Sequence, residues 1–292
     1  MSLKLDHIVI AVHDLERTIA DYGALGFHVV RGGDHPGRAT HNALVVFADG
    51  SYFELIAWRE PSPTERWWQL LQRHGEGIVD FALLPPSTAA TVADAKARGL
   101  LLEGPLDGGR LRPDGERLRW QTARSPSADL PFLCGDLTPR ALRVPEGEVR
   151  VHANGALGVA SLAIAVRDLD ATLARYRALL GAGAGDAGTH IGEPVALPGS
   201  NVRVAVIVLG GSVLVLSSPR EKPSNASRAG EGGDTLAQRI AARGEGPYAL
   251  VLHTDTPQST GTFDLARAHG ALIELDLPPV GREAKAASVT SA

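Results

Sequence analysis

The chain has 292 residues, enough for about two domains of ordinary size. Hydrophobic residues at 44% and charged residues at 21% place it among globular proteins, away from disordered chains, and no apolar stretch approaches the roughly 18 residues of a membrane-spanning helix. A net charge of −4 gives no basic face for nucleic acid, and a single cysteine, Cys134, excludes an internal disulfide and any multi-cysteine zinc site.

From the N-terminus, an apolar run leads into Asp14-Leu15 and then Leu15, Ile19 and Tyr22 at helical spacing, which predicts a strand, a turn and a helix capped by Asp14. Strands are expected over Thr40 to Ala48 and within Gly50 to Pro61, then a helix from Trp67 that stops at Gly75-Glu76-Gly77. Ile78 to Leu84 predicts a strand and Ser87 to Arg98 a helix. Short strands are expected at Leu100 to Glu103, Leu118 to Thr122 and Pro131 to Cys134. The stretch Thr138 to Gly158 is punctuated by Pro and Gly, with strand pieces expected around Leu142, Val144, Val149 and Val151.

Then the pattern starts again. Ile164 to Leu179 (IAVRDLDATLARYRAL) matches Ile10 to Leu25 (IAVHDLERTIADYGAL) at 10 of 16 positions without a gap. Asn201 to Leu209 and Gly211 to Pro223 repeat the strands, and Leu236 to Gly246 repeats the helix with its Gly-Glu-Gly stop. Tyr248 to His253, Gln258 to His269 and Ala271 to Leu275 read as strand, helix and strand. The repeat predicts an α+β fold of four βαβββ-type units in two pairs, the last truncated. It divides the chain into domains over 1–137 and 159–281, a connector over 138–158 and a polar tail over 282–292. With no charged-then-apolar leader and one cysteine, a cytoplasmic location is expected.

The opening LDHIVIAVHDLE (Leu5 to Glu16), the strand SYFELI (Ser51 to Ile56), HPGRATHNAL (His35 to Leu44) and PDGERLRWQ with LPFL (Pro113 to Leu133) resemble the vicinal oxygen chelate superfamily, and within it the glyoxalase-like domain group. The resemblance implies half-open barrels around a small-molecule cavity. It also implies that a His in a unit's first strand and a Glu in its last stand together as metal ligands, which His7 and Glu54 match.

The residues themselves direct attention to the same place. Glu54 is a carboxylate among large apolar neighbours, costly to bury unless paired, protonated or metal-bound; an arginine such as Arg38 would be a structural partner. His41, or else His28 or His35, is the candidate third ligand for a divalent metal (Zn, Ni, Mn or Fe) with His7 and Glu54. In the second unit Phe81 and Leu133 or Cys134 are read at the ligand positions. In the second half Ser161 and Val215 stand there. Arg38, His41, Asn42, Tyr52 and Trp120 are expected to bind the ligand, and Glu54 to be catalytic. Two readings follow: a metal-dependent lyase or isomerase acting on vicinal oxygens, or a metal-free binding protein of the bleomycin-resistance kind. The expected partner is a small molecule, with neither nucleic acid nor membrane, and pairing into a homodimer is expected from the open sheet edge.

Overall fold

A computed structural model of the chain describes residues 3–112, 115–181, 188–220 and 231–278. The first unit runs β1 (Lys4–Ala11), α1 (Leu15–Ala24), β2 (Val30–Asp34), β3 (Thr40–Val46) and β4 (Tyr52–Trp58); after α2 (Arg66–His74), the second runs β5 (Gly77–Leu84), α3 (Thr88–Ala97), β6 (Glu103–Leu111), β7 (Arg117–Arg124) and β8 (Phe132–Asp136). Their strands form one eight-stranded sheet in the order β2-β3-β4-β1-β5-β8-β7-β6. In each unit the first strand pairs parallel to the last, β1 with β4 and β5 with β8, while β1 and β5 join antiparallel at the centre.

The second half repeats this with β9 (Ala156–Ala165), α5 (Leu169–Leu180), β10 (Thr189–Ile191), β11 (Val195–Ala196), β12 (Val202–Leu209) and β13 (Ser212–Pro219), then α6 (Glu231–Arg243), β14 (Gly246–Thr254), β15 (Gly261–Thr262) and β16 (Leu272–Asp276). These strands form a second sheet in the order β10-β12-β13-β9-β14-β16-β15, with β11 on β12. The helix expected over Gln258 to His269 is replaced by a 3-10 turn (Pro257–Ser259), β15 and further turns. Thr260-Gly261-Thr262 places a glycine between β-branched residues, all weak helix formers. The connector strands are also corrected: this segment forms the short helix α4 (Arg140–Arg143) and a 3-10 turn (Gly147–Arg150). The polar tail expected over 282–292 lies outside the described residues.

The repeated motifs have local physical causes. Asp14 and Asp168 cap α1 and α5 by accepting the backbone N–H of Arg17 and Ala171. In the two Gly-Glu-Gly stops, Glu76 and Glu245 accept the backbone N–H of His13 and Arg167, each at 2.7 Å, which ties the end of the connecting helix to the turn after the unit's first strand. Gly75 and Gly244 leave their helices at φ of 75° and 81°, a left-handed backbone that glycine adopts without strain.

One apolar core runs through both halves, with Ile8, Ile10, Phe53 and Leu55 on one side and Leu162, Ile164, Leu214 and Leu216 on the other. The helices cross between halves. Tyr22 of α1 donates its hydroxyl to the Ala268 carbonyl near β16, and Tyr176 of α5 donates to the Asp129 carbonyl just before β8. The convex faces of the two sheets are thereby fused, and the concave face of the first sheet is left to form a cavity.

Candidate functional site

Strand alternation decides what faces the cavity. On β1, Ile8 and Ile10 enter the core while His7 turns to the concave side; on β4, Phe53 and Leu55 enter the core while Tyr52, Glu54 and Ile56 face the cavity. The cavity encloses about 500 Å³ between β1, β3, β4 and the curled strands β6 to β8.

At its floor the Glu54 carboxylate lies between two imidazoles. His7 Nε2 is 3.5 Å from Glu54 Oε2, and His35 Nε2 is 3.7 Å from Oε1. Asn42 donates its Nδ2 to Oε1 at 2.7 Å. Both histidines are tied back through their other nitrogen: His7 Nδ1 to Asp6 Oδ2 at 2.7 Å, His35 Nδ1 to Thr40 Oγ1 at 2.8 Å. Burial pushes the His35 pKa down, against the opposing pull of Glu54, which favours the neutral ring.

Behind this floor lies a buried charge network. Asp6 is fully enclosed and meets Arg143 Nη1 at 2.8 Å, Arg140 Nη1 at 2.6 Å and His7. Burial alone would raise the Asp6 pKa, but Arg143, then His7 and Arg140, outweigh it and hold the carboxyl well below the usual carboxylate range. The ionised Asp6 accepts the hydrogen of His7 Nδ1–H, which leaves Nε2 as the ring nitrogen that faces Glu54. Arg143 also bonds Asp136 Oδ1 at 2.6 Å and donates to the Tyr52 hydroxyl at 2.6 Å, while the Tyr52 ring stacks on His7 with centroids 4.6 Å apart. The connector thus supplies a positioning pair of arginines, Arg140 and Arg143, on a short helix where strand pieces are expected around Leu142 and Val144.

Each expected residue has a definite place. His7, Glu54, Asn42, Tyr52, Arg38 and Trp120 all line the cavity. Arg38 forms no ion pair with Glu54 within 4 Å, so the carboxylate faces imidazole and amide groups instead of a guanidinium. His41 does not join them: alternation along β3 sends Asn42 into the cavity and His41 away from it, toward Asp34, Glu16, Arg31 and Arg59. His35 comes to Glu54 in its place, and His28 is exposed elsewhere. Cys134 is buried on the cavity wall, and burial pushes its thiol up to about 12, so it is a neutral packing group at ordinary pH.

The second unit is corrected by one residue. Ser87 caps α3 seven residues after Asp80, as Asp14 caps α1 seven residues after His7, so Asp80 and not Phe81 stands at the His7 position. Phe81 pairs with Ile8 and shares its core side. Asp80 is buried and accepts from Arg66 at 3.2 Å and Trp67 Nε1 at 2.8 Å. The position equivalent to Glu54 falls on Phe132, since Ala82 pairs with Phe132 as Val9 pairs with Glu54. In the second half, Ser161 and Val215 occupy the two positions as read from sequence.

The donor set falls short of a metal centre as placed. Among the described residues no group of three or more His, Cys, Asp or Glu side chains is arranged to hold a metal ion. His7 and Glu54 supply two donors, and the Asn42 amide already takes one oxygen of Glu54.

Paired βαβββ units curled about a cavity, with a His and a Glu meeting on its floor, define a vicinal oxygen chelate protein. A family model for the glyoxalase-like domain matches residues 5–180, and the chain belongs to that family. No curated protein sequence matches it. Among solved structures, a hypothetical protein from Staphylococcus aureus is similar at 13% identity and a TM-score of 0.66, over 94% of this chain and 100% of that one. A mutant 4-hydroxymandelate synthase from Streptomyces coelicolor is similar at 14% identity and TM-score 0.60, over 91% of this chain and 78% of the other. A xylose isomerase-like TIM barrel/4-hydroxyphenylpyruvate dioxygenase fusion protein matches at 18% and 0.52, over 92% of this chain and 38% of the fusion. These similarities concern the fold. No helix among the described residues is long and apolar enough to cross a membrane.

Proposed function

We propose that the first half binds a small molecule in its cavity and moves a proton on it, with Glu54 as the transferring carboxylate. The observation that carries this reading is the Asp6-His7-Glu54 chain: Asp6 fixes the His7 ring so that its Nε2 faces a carboxylate nine-tenths buried in the cavity floor. Glu54 takes a proton from a carbon beside a carbonyl, His7 accepts or returns that proton at Nε2, and Asn42 holds the carboxylate in place. Acid and base groups gathered in a cleft mark such sites.

The test begins with thermal-shift screening of small carbonyl and hydroxycarbonyl compounds, followed by deuterium exchange of the bound compound read by NMR. Wild-type protein is expected to exchange the proton next to the carbonyl, and Glu54→Gln to slow exchange by about 100-fold or more while still binding. Binding without exchange in the wild type would leave a sequestration protein and overturn the catalytic reading.

One observation favours a second reading with a divalent ion. The Nε2 atoms of His7 and His35, each fixed through Nδ1, face the same carboxylate, as metal-binding histidines do. As placed these three do not converge on one point, so an ion would have to draw His7 and His35 together and release Glu54 Oε1 from Asn42; held so, it would supply Lewis-acid polarisation of two neighbouring oxygens. Metal analysis of protein purified without chelator decides: about one equivalent, lost in Glu54→Ala, supports the ion, and less than about a tenth of an equivalent discards it.

A further inference from the structure

Six arginines line the cavity against three carboxylates, Glu54, Glu65 and Asp107. Glu65 and Asp107 are engaged by neutral donors, Trp58 Nε1 at 2.8 Å and Gln121 Nε2 at 3.0 Å. Arg143 is neutralised by Asp6 and Asp136. Arg110, on β6, is different. It is 7% exposed, has no carboxylate within 4 Å among the described residues, and makes one long hydrogen bond, Nη1 to Asn42 Oδ1 at 3.4 Å. A guanidinium carries five N–H donors and keeps its charge in any protein setting. Its remaining donors are not sealed in the protein but open onto the cavity, where a planar cationic fork without a carboxylate partner is set to receive an anion.

The neighbours of Arg110 narrow the anion. Asn42 links it directly to Glu54, whose negative charge lies one hydrogen bond further on. A doubly charged group on Arg110 would be repelled by Glu54, whereas a single carboxylate matches the planar fork and one positive charge. Gly108, two residues along the same strand and so about 7 Å away, pairs with Trp120 of β7. A Cβ at Gly108 would come within 2.4 Å of Trp120 Nε1, so the indole lies directly over the bare backbone there. Phe132 also faces this part of the cavity, and His35 stands edge-on to Trp120 with centroids 6.3 Å apart.

We infer that the cavity takes a flat, apolar monocarboxylic acid, its carboxylate on Arg110 and its apolar body against Trp120. The assignment rests on the pocket reading above and adds the ligand's charge and shape. It makes Arg110 a binding residue that sets specificity, and it places the carbon next to the carboxylate within the part of the cavity floored by Glu54.

Quenching of tryptophan fluorescence in the intact protein tests it with three probes of one shape: phenylacetate, phenylacetamide and phenyl phosphate. The expected result is saturable quenching by phenylacetate, with the amide and the phosphate at least tenfold weaker. Arg110→Met is expected to weaken phenylacetate at least tenfold and leave phenylacetamide unchanged. Arg110→Lys, which keeps the charge and loses the fork, is expected to fall between them and covers the case in which Arg110→Met fails to fold. Equal binding of acid and amide by the wild type, tighter binding of phenyl phosphate, or wild-type affinity for the acid in both variants would overturn the carboxylate assignment while leaving the pocket standing. If none of the three probes binds, the pocket reading fails with it.

Discussion

The two halves of this chain share a strand pattern and differ in what they do with one face of it. Both place aliphatic or aromatic residues toward the common core: Ile8, Ile10, Phe53 and Leu55 in the first, Leu162, Ile164, Leu214 and Leu216 in the second. On the opposite face the first half carries Asp6, His7 and Glu54, where the second has Ala160, Ser161 and Val215. The second unit wraps β6 to β8 around the first half's face, whereas the fourth unit has only β15 and β16 beyond β14 among the described residues. A buried polar site thus occurs where a sheet curls over it, and the face that stays open carries small and apolar side chains.

Exchanging the residues that differ is the most direct way to break this comparison. His7→Ser with Glu54→Val, which gives the first half the second half's residues, is expected to abolish proton exchange on the ligand, a loss of about 100-fold or more, while the circular dichroism spectrum stays that of the wild type. The reciprocal Ser161→His with Val215→Glu is expected to change unfolding free energy by only about 1 kcal/mol, because both positions are part-exposed, and to create no second exchange activity.

Next in size is the charge network. Arg143→Met leaves Asp6 fully buried without its strongest partner and is expected to cost about 3–5 kcal/mol in urea unfolding. The pH dependence follows with its sign. Because the folded Asp6 pKa lies below the unfolded value near 4, its stabilisation is complete above that value and is lost as pH falls toward the folded pKa. Unfolding midpoints should drop steadily below about pH 4 in the wild type and less steeply in Asp6→Asn. The smallest effect tests the shared element. Glu76→Ala and Glu245→Ala each remove a carboxylate from a turn N–H at 2.7 Å, and each is expected to cost about 1 kcal/mol. Glu76 should cost more, since it also bonds His269 Nδ1 at 2.8 Å.

Local signals in the sequence are enough for most of the first half's elements and for two members of the site, but not for β2, whose VRGGD has no strand pattern, nor for β6, which begins where the strand expected at Leu100 to Glu103 ends. Asp14 before a helical spacing, the Gly-Glu-Gly stops and the carboxylate in the middle of YFELI each have a meaning within a few residues. The His7-Glu54 pair is legible through the family resemblance, and Glu54 also through its apolar neighbours; residue spacing alone does not join the two strands. The rest is written at long range. Arg143 meets Asp6 from 137 positions away, and nothing near Arg143 announces that partner. Arg110 sits in a strand, EGPLDGGRL, whose leucines at 106 and 111 are five apart and fall on opposite faces, so no apolar alternation marks which of its side chains turns inward. Because strand period is two, a slip of one residue changes the face: His41 points away while its neighbour Asn42, also expected at the site, lines it; Asp80 stands where Phe81 is read; and Phe132 stands where Leu133 or Cys134 is read. Counting back from the helix cap, a fixed distance in both units, finds Asp80.

The crossing of the helices has a consequence for which positions of the second half can change. Tyr22 completes its hydrogen bonding on Ala268, and α1 therefore depends on a wall supplied by the half that lacks the His-Glu pair. A copy without the His-Glu pair still carries the architecture. Its tolerance should run in stripes along each strand: Ser161, Ala163, Val213 and Val215 open to replacement, and Leu162, Ile164, Leu214 and Leu216, between them, closed to it.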